Sequence, residues 1–374
     1  MKLRSVEDIT DIYGMRFLVR TSLDVPAIDG VVEDHFRIRR AIPTIAYLVE
    51  KGARVVILTH VGRDPKNSTL PLLSALQKYI SVKHVDGVIG DKVYGAIAHM
   101  KEGSALLLEN LRSCKEEEEN DDAFAKTIAT YGDFYVNDAF AVSHREHASI
   151  VGIPKYLPSF AGITFIEEYT ELSKVLRPES PSLLILGGAK FKTKEPLIEE
   201  YSEHYNHVFI GGAIANDFLK GKGYEVGESL LSPVSLVGNP LVEKENILLP
   251  IDVVVGGARG VQQVKSDAVK SDEKILDVGS GTIDALTPYI KDAKTILWNG
   301  PLGNYEAGFD ASTKACAEHI AQSEAYSVVG GGDTITAIES LGLEESFGFL
   351  STAGGAMLEF LEKRNLPGIK ALEQ

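Results

Sequence analysis

Ten short runs rich in valine, isoleucine and leucine, each followed by a longer amphipathic stretch, constrain this 374-residue chain more than any other feature. In the first half they are RFLVRTSL (16–23), ARVVILTH (53–60), ALLLENL (105–111) and DFYVNDAF (133–140). In the second half they are SLLILGG (182–188), HVFIGGAIA (207–215), ILLPIDVVV (247–255), KILDVG (274–279), KTILWNG (294–300) and YSVVGGGDT (326–334). Apolar runs without polar alternation belong to strands buried on both faces, as in parallel sheets. The intervening stretches read as helices; IRRAIPTIAYLVEKG (38–52) repeats apolar positions at three and four and ends in Lys-Gly. Repeated βαβ units in a chain too long for one ordinary core predict an α/β fold. The expected form is two doubly wound, Rossmann-like parallel-sheet lobes joined by a helical hinge.

The join is expected between residues 155 and 182. IPKYLPSFAG carries two prolines and a glycine, FIEEYTELSKVL reads as a helix, and RPESPS breaks it. The predicted division is an N-terminal lobe over 1–158, a hinge helix over 159–181 and a C-terminal lobe over 182–354. The tail, 355–374, is expected to pack back on the first lobe. The acidic run KEEEENDD (115–122) reads as a solvated helix start.

The formal charge, 38 − 53 = −15, argues against nucleic acid or an anionic membrane as a general partner. An anionic ligand would therefore need a local basic cleft. Two cysteines, Cys114 and Cys316, make neither a disulfide framework nor a CxxC pair, and they suit a reducing cytoplasm. The N-terminus has no signal-peptide core, and no apolar run nears the ~20 residues that span a bilayer.

Ligands of open parallel sheets bind beyond the carboxyl ends of the strands. In the first half those ends lead to Ser22 and Asp24, to His60, Gly62 and Arg63, to Asn110 and Arg112, and to Asn137, Asp138, His144, Arg145 and His147. Arg37 precedes the first long helix. Four arginines and a histidine near one sheet edge predict an anion-binding cup, because guanidinium matches carboxylate and phosphate. HREH (144–147) lacks a third ligand nearby and reads as packing histidines rather than a metal pair. The second half places glycine and lysine at its strand ends. GGAKFKTK (187–194) opens a helix with Lys190 and Lys194 four apart, which suits a phosphate cradle without being a Walker A loop. GGGDT (330–334) repeats the device, with an acid able to hold Mg²⁺ and a threonine at a helix start. Gly211 and Gly212 would admit a flat base close to the backbone. DVGSGTID (277–284) imitates the dinucleotide fingerprint only loosely. Two lobes with different anion chemistry suggest two anions brought together by hinge closure.

From Phe17 to Leu372 the chain resembles phosphoglycerate kinase. The resemblance rests on RIRRAIPTI (37–45), THVGRD (59–64), LLLENLR (106–112), YVNDAFAVSHREHAS (135–149), LGGAKFKTK (186–194), FIGGAIANDFLK (209–220), WNGPLGNYE (298–306), VVGGGDT (328–334) and STAGGAMLEFLE (351–362). It implies transfer of a phosphoryl group from 1,3-bisphosphoglycerate to ADP, giving 3-phosphoglycerate and ATP, by a cytoplasmic monomer using Mg²⁺. It implies a 3-phosphoglycerate site of Ser22, Asp24, Arg37, His60, Arg63, Arg112 and Arg145. The implied nucleotide site comprises Lys190, Lys194, Gly211, Gly212, Asn299, Glu306, Gly331, Gly332, Asp333 and Thr334. Arg37, Lys190 and Gly332 are the implied catalytic positions, and Asp333 the Mg²⁺ ligand. Ser22 and Asp24 depart from the family's Asp and Asn, Ala141 and Ala353 replace glycines, and Gly279–Thr282 replaces Gly-Pro-Lys-Thr. The changes at Ser22 and Asp24 motivate two alternatives: a catalytically impaired nucleotide-binding homologue with a regulatory or scaffold role, and an enzyme acting on a related acyl phosphate.

Overall fold

The computed structural model describes residues 3–25, 27–28, 31–32, 35–189 and 191–373. The chain divides into two compact units, Met1–Thr170 with Lys363–Gln374, and Glu171–Glu362.

The first unit contains β1 (Arg16–Thr21), β2 (Ala27–Ile28), β3 (Val31–Val32), β4 (Arg54–Leu58), β5 (Val82–Val85), β6 (Ser104–Leu108), β7 (Phe134–Asp138) and β8 (Ser159–Ala161). Six of them form a parallel sheet in the order β5-β6-β4-β1-β7-β8, and β2-β3 is a short antiparallel ribbon. Phe17, Leu18 and Val19 are each 0% exposed. Successive strand residues point to opposite faces, so β1 is covered on both. The covering helices are α1 (His35–Glu50), α2 (Leu72–Leu76), α3 (Asp91–Ala98), α4 (Lys115–Glu118) and α5 (Asp122–Ala129). The chain then enters α6 (Ile163–Lys174), within which the boundary between the units falls.

The second unit contains β9 (Ser182–Leu186), α7 (Phe191–Tyr201), β10 (His207–Ile210), α8 (Gly212–Gly221), β11 (Ile247–Leu248), β12 (Asp252–Gly257), β13 (Gly260–Lys265) and β14 (Lys274–Val278). After them come α9 (Ser280–Asp292), β15 (Thr295–Asn299), α10 (Ala311–Ala321), β16 (Tyr326–Gly330), α11 (Gly332–Leu341), β17 (Phe349–Ser351) and α12 (Gly355–Lys363). Its six-stranded sheet, β11-β10-β9-β15-β16-β17, is again parallel. The tail helix α13 (Pro367–Leu372) belongs to the first unit, where Gly368 N–H donates to Ser143 O at 2.8 Å.

Two predicted parallel strands are something else. ILLPIDVVV breaks at Pro250: β11 joins the parallel sheet, whereas β12 pairs antiparallel with β13 and β14, the KILDVG run. Val253 and Val255 of β12 are buried while their neighbours are half-exposed, the alternation of a sheet with one wet face. Strands β5, β8 and β17 were not evident from composition. β5 and β8 lie at the sheet's two edges, and β5 carries Lys83 and His84 between buried valines.

Asp138, at the end of β7, fixes the start of α6. Its Oδ1 accepts the Phe165 N–H at 2.9 Å, and Gly162 is packed so closely on it that a methyl group would not fit. Burial raises the carboxyl to about 6, against hydrogen bonds from Thr44 and Phe165 that pull it down. An acid with a raised folded-state pKa contributes fully below its unfolded value near 4 and loses that contribution as pH rises through about 6. The stability of the protein relative to Asp138→Asn is therefore expected to drop by about 2 kcal/mol between pH 4 and 7. Denaturant unfolding at each pH measures it, and a flat difference would contradict the buried titration.

Candidate active site

Each parallel sheet delivers its polar residues to the edge where the strands end. In the first unit the loop after β1 carries Ser22 and Asp24. The loop after β4 carries His60, Gly62 and Arg63, and the loop after β6 carries Asn110 and Arg112. Asp24 organises this edge. Its Oδ1 accepts the Gly62 N–H at 2.7 Å, its Oδ2 lies 3.5 Å from His60 Nε2, and its carbonyl accepts Arg37 Nη1 at 3.3 Å. Although burial opposes ionisation, the His60 and Gly62 donors hold the Asp24 carboxyl well below the usual range. Arg112 is buried, donates through Nη1 to Gly62 O at 2.5 Å and approaches Glu118 to 3.0 Å. Arg145 is half-buried, and burial together with Arg112 and Arg63 lowers its pKa, which places these guanidiniums in one field. Burial and the surrounding cations push His60 and His147 to about 4, so both are neutral at physiological pH. The structure thus gathers Asp24, Arg37, His60, Arg63, Arg112 and Arg145 at one edge. The Ser22 hydroxyl is buried there with no hydrogen-bond partner among the described residues.

Two buried charged residues beside this edge escape a reading of strand ends. Arg20 lies within β1 itself, 1% exposed, with Nη2 at 3.0 Å from His60 Nδ1. A charged residue inside an apolar run was the available signal. Glu117 is the exception to the reading of the acidic run as solvated: it is 0% exposed, accepts the Ser149 N–H, and burial raises its carboxyl against the pull of Arg20 and Ser149.

In the second unit, the turns after β9, β10 and β15 interlock through their backbones. Gly187 N–H donates to Asn299 O at 2.9 Å, Gly188 N–H to Pro301 O at 2.8 Å, and Gly212 N–H to Leu302 O at 3.0 Å. A Cβ on Gly187 would sit 2.1 Å from Pro301 O, so glycine is required there. Lys194, on α7 and 5% exposed, donates to Gly187 O at 2.5 Å and Asn299 O at 3.3 Å, tying two of the turns together. Lys190 lies outside the described residues.

Beside these turns is a cleft of about 280 Å³. Its wall includes Gly188, Gly212, Pro301, Glu306 and Asp333, with the apolar Leu230 and Leu302. Lys194, Gly211, Asn299, Gly331, Gly332 and Thr334 do not line it. Gly331, at φ +106°, turns the chain from β16 into α11, and the buried Thr334 hydroxyl has no partner among the described residues. Burial and the neighbouring Glu306 both raise the Asp333 carboxyl, a site that gains from a nearby cation. Among the described residues no cluster of three acids, histidines or cysteines could cage a metal. The donor set fits Mg²⁺ that arrives with phosphate oxygens of its own. A further unpredicted residue, the buried Asp277, accepts the Ser312 N–H at 3.2 Å and the Ser312 hydroxyl, and lies against Gly303 in the cleft wall.

A family model described as phosphoglycerate kinase matches residues 6–364. A phosphoglycerate kinase of Sinorhizobium medicae is 42% identical over 400 residues, covering all of both chains. One of Dictyoglomus turgidum is 42% identical over 388 residues, covering 97% of this chain and 96% of its own. Among solved structures, the phosphoglycerate kinase of Coxiella burnetii superposes with a TM-score of 0.83 at 37% identity, covering 100% and 99% of the two chains. That of Pyrococcus horikoshii gives 0.89 at 29% identity, covering 99% and 98%.

Gly212, at φ +59°, would place a Cβ 2.4 Å from Gly188 N. Gly212→Ala is expected to destabilise the protein by about 2–4 kcal/mol through clash and backbone strain together. A denaturant midpoint equal to that of the parent would show that the turns are not interlocked.

Proposed function

The chain belongs to the phosphoglycerate kinase family, and we propose that it works through the arginine cup of its first unit and the glycine turns of its second. It is an ATP:3-phosphoglycerate 1-phosphotransferase, passing the acyl phosphate of 1,3-bisphosphoglycerate to ADP in glycolysis. The observation that carries the residue assignment is the convergence of Arg37, His60, Arg63, Arg112 and Arg145 around Asp24 at one sheet edge.

In this reading the cup holds the glycerate. Guanidiniums take its phosphate and carboxylate, and the unpartnered Ser22 hydroxyl meets the substrate hydroxyl. Asp24 keeps the loop bearing Gly62 in place, so its negative charge is engaged by the Gly62 N–H and His60 rather than aimed at substrate. The nucleotide occupies the cleft beside Gly212, Glu306 and Asp333, with Lys190 and the N-terminus of α11 serving its phosphates and Lys194 tying together two of the turns that frame it. Asp333 would hold Mg²⁺, which supplies charge neutralisation at those phosphates when bound.

A β-phosphate oxygen of ADP attacks the acyl phosphorus, and the bond to the carboxyl oxygen breaks. The glycerate leaves as a carboxylate. No proton moves, so no general base is needed and catalysis is positioning plus charge stabilisation. Arg37 offers a fixed positive charge to the equatorial oxygens. In this reading the protein is cytoplasmic, in keeping with its two free cysteines, and acts as a monomer. No described helix is long and apolar enough to cross a membrane.

A coupled assay in both directions with Mg²⁺ tests the assignment. Arg37→Ala and Lys190→Ala are each expected to lower kcat by about 10²–10³ with melting temperature preserved, the scale for losing one preorganised donor. Unchanged turnover in a folded variant would remove that residue from the transfer set.

A further inference from the structure

Glu117, in α4, is an acidic side chain with no exposed surface in a segment whose neighbours face water. Its hydrogen-bond partner is Ser149, in the short π-helical segment Ala148–Gly152, and His147 Nδ1 lies 3.8 Å from its Oε1. Ser149 donates twice: N–H to Oε2 at 2.9 Å and Oγ–H to Oε1 at 2.5 Å. With its proton committed, Ser149 Oγ can only accept, and it accepts Arg20 Nε at 2.9 Å. The same guanidinium donates through Nη1 to Thr21 O at 2.5 Å and through Nη2 to His60 Nδ1 at 3.0 Å. A guanidinium has no acceptor atom, so Nδ1 must present its lone pair. The imidazole proton then sits on Nε2, at the end of the ring that faces Asp24.

The opposite tautomer would fail at both ends. An Nδ1–H would oppose the Arg20 N–H, and an Nε2 lone pair would face the Asp24 carboxylate and any anion in the cup. We infer that Glu117 is a positioning residue for the acceptor substrate: through Ser149 and Arg20 it fixes the His60 tautomer, so that Nε2–H stays turned to Asp24 and holds the loops that form the 3-phosphoglycerate site. Without a carboxylate behind it, the buried Arg20 would lose the larger of its two carboxylate counter-charges, Glu117 and Asp24, and its hold on His60 would loosen. The inference rests on the placement of His60 in the 3-phosphoglycerate site, and it adds a residue that does not touch substrate.

The test uses the full-length protein with ¹⁵N-labelled histidine, and long-range ¹H–¹⁵N spectra assigned at position 60 by His60→Gln. Ligand-free wild type is expected to show the proton on Nε2 alone. Ser149→Ala, which leaves the backbone donor to Glu117 intact, and Glu117→Gln are expected to abolish that single tautomer. Both are also expected to raise KM for 3-phosphoglycerate about tenfold, with KM for ATP unchanged. Ser149→Ala carries the test if Glu117→Gln does not fold. An unchanged tautomer in a folded variant overturns the relay. A changed tautomer with unchanged KM for 3-phosphoglycerate overturns instead the placement of His60 in that site, and with it the positioning role.

Discussion

All strands of each six-stranded sheet run the same way, so each sheet has a single edge at which the carboxyl ends emerge. Helices cover both faces, as the fully buried Phe17, Leu18 and Val19 show for β1. Polar chemistry is thereby confined to the edge or must be matched inside. Both candidate sites follow from that confinement. The first unit fills its edge with guanidiniums and imidazoles on loops of different strands. The second leaves its edge nearly bare of side chains, so that the backbones of three turns lock together around Gly187, Gly188 and Gly212.

The two edges handle charge in different ways. In the first unit five guanidiniums (Arg20, Arg37, Arg63, Arg112, Arg145) stand with three carboxylates (Asp24, Glu117, Glu118), and the carboxylates are engaged with protein donors. A cationic surplus remains for an anionic substrate, while neutral His60 and His147 limit the repulsion within the cup. In the second unit Asp333 and Glu306 bring negative charge to the cleft, which suits a nucleotide accompanied by a divalent cation.

The fold class was legible because doubly buried strands need uninterrupted Val, Ile and Leu, and the sequence supplies them at β1, β4, β6, β9, β15 and β16. The misassigned β12 and β14 carry the same residue types. Their pairing with the exposed β13 depends on neighbours that are not local in sequence. Arg63, Arg112 and Arg145 were legible since each follows a recognisable strand, whereas Arg37, expected ahead of the first long helix, stands in the first turn of α1. Glu117 and Arg20 were not, because their burial is mutual: each is tolerable only with Ser149 and the other nearby. Lys194 was legible as a lysine at a helix start. Its ties to Gly187 O and Asn299 O emerge only when β9 and β15 lie side by side.

In the proposed function, acceptor and nucleotide are held by different sets of strand-end loops, one set in each unit. Amide hydrogen exchange followed by mass spectrometry, with 3-phosphoglycerate alone and with Mg-ADP alone, tests it most directly. Protection by 3-phosphoglycerate is expected at the loops around 22–25, 60–63, 110–113 and 145–149. Protection by Mg-ADP is expected at 187–189, 211–214, 300–306 and 331–334. Protection of the same loops by both ligands, or of the two sets in reverse, would rule out this division of the ligands between the units.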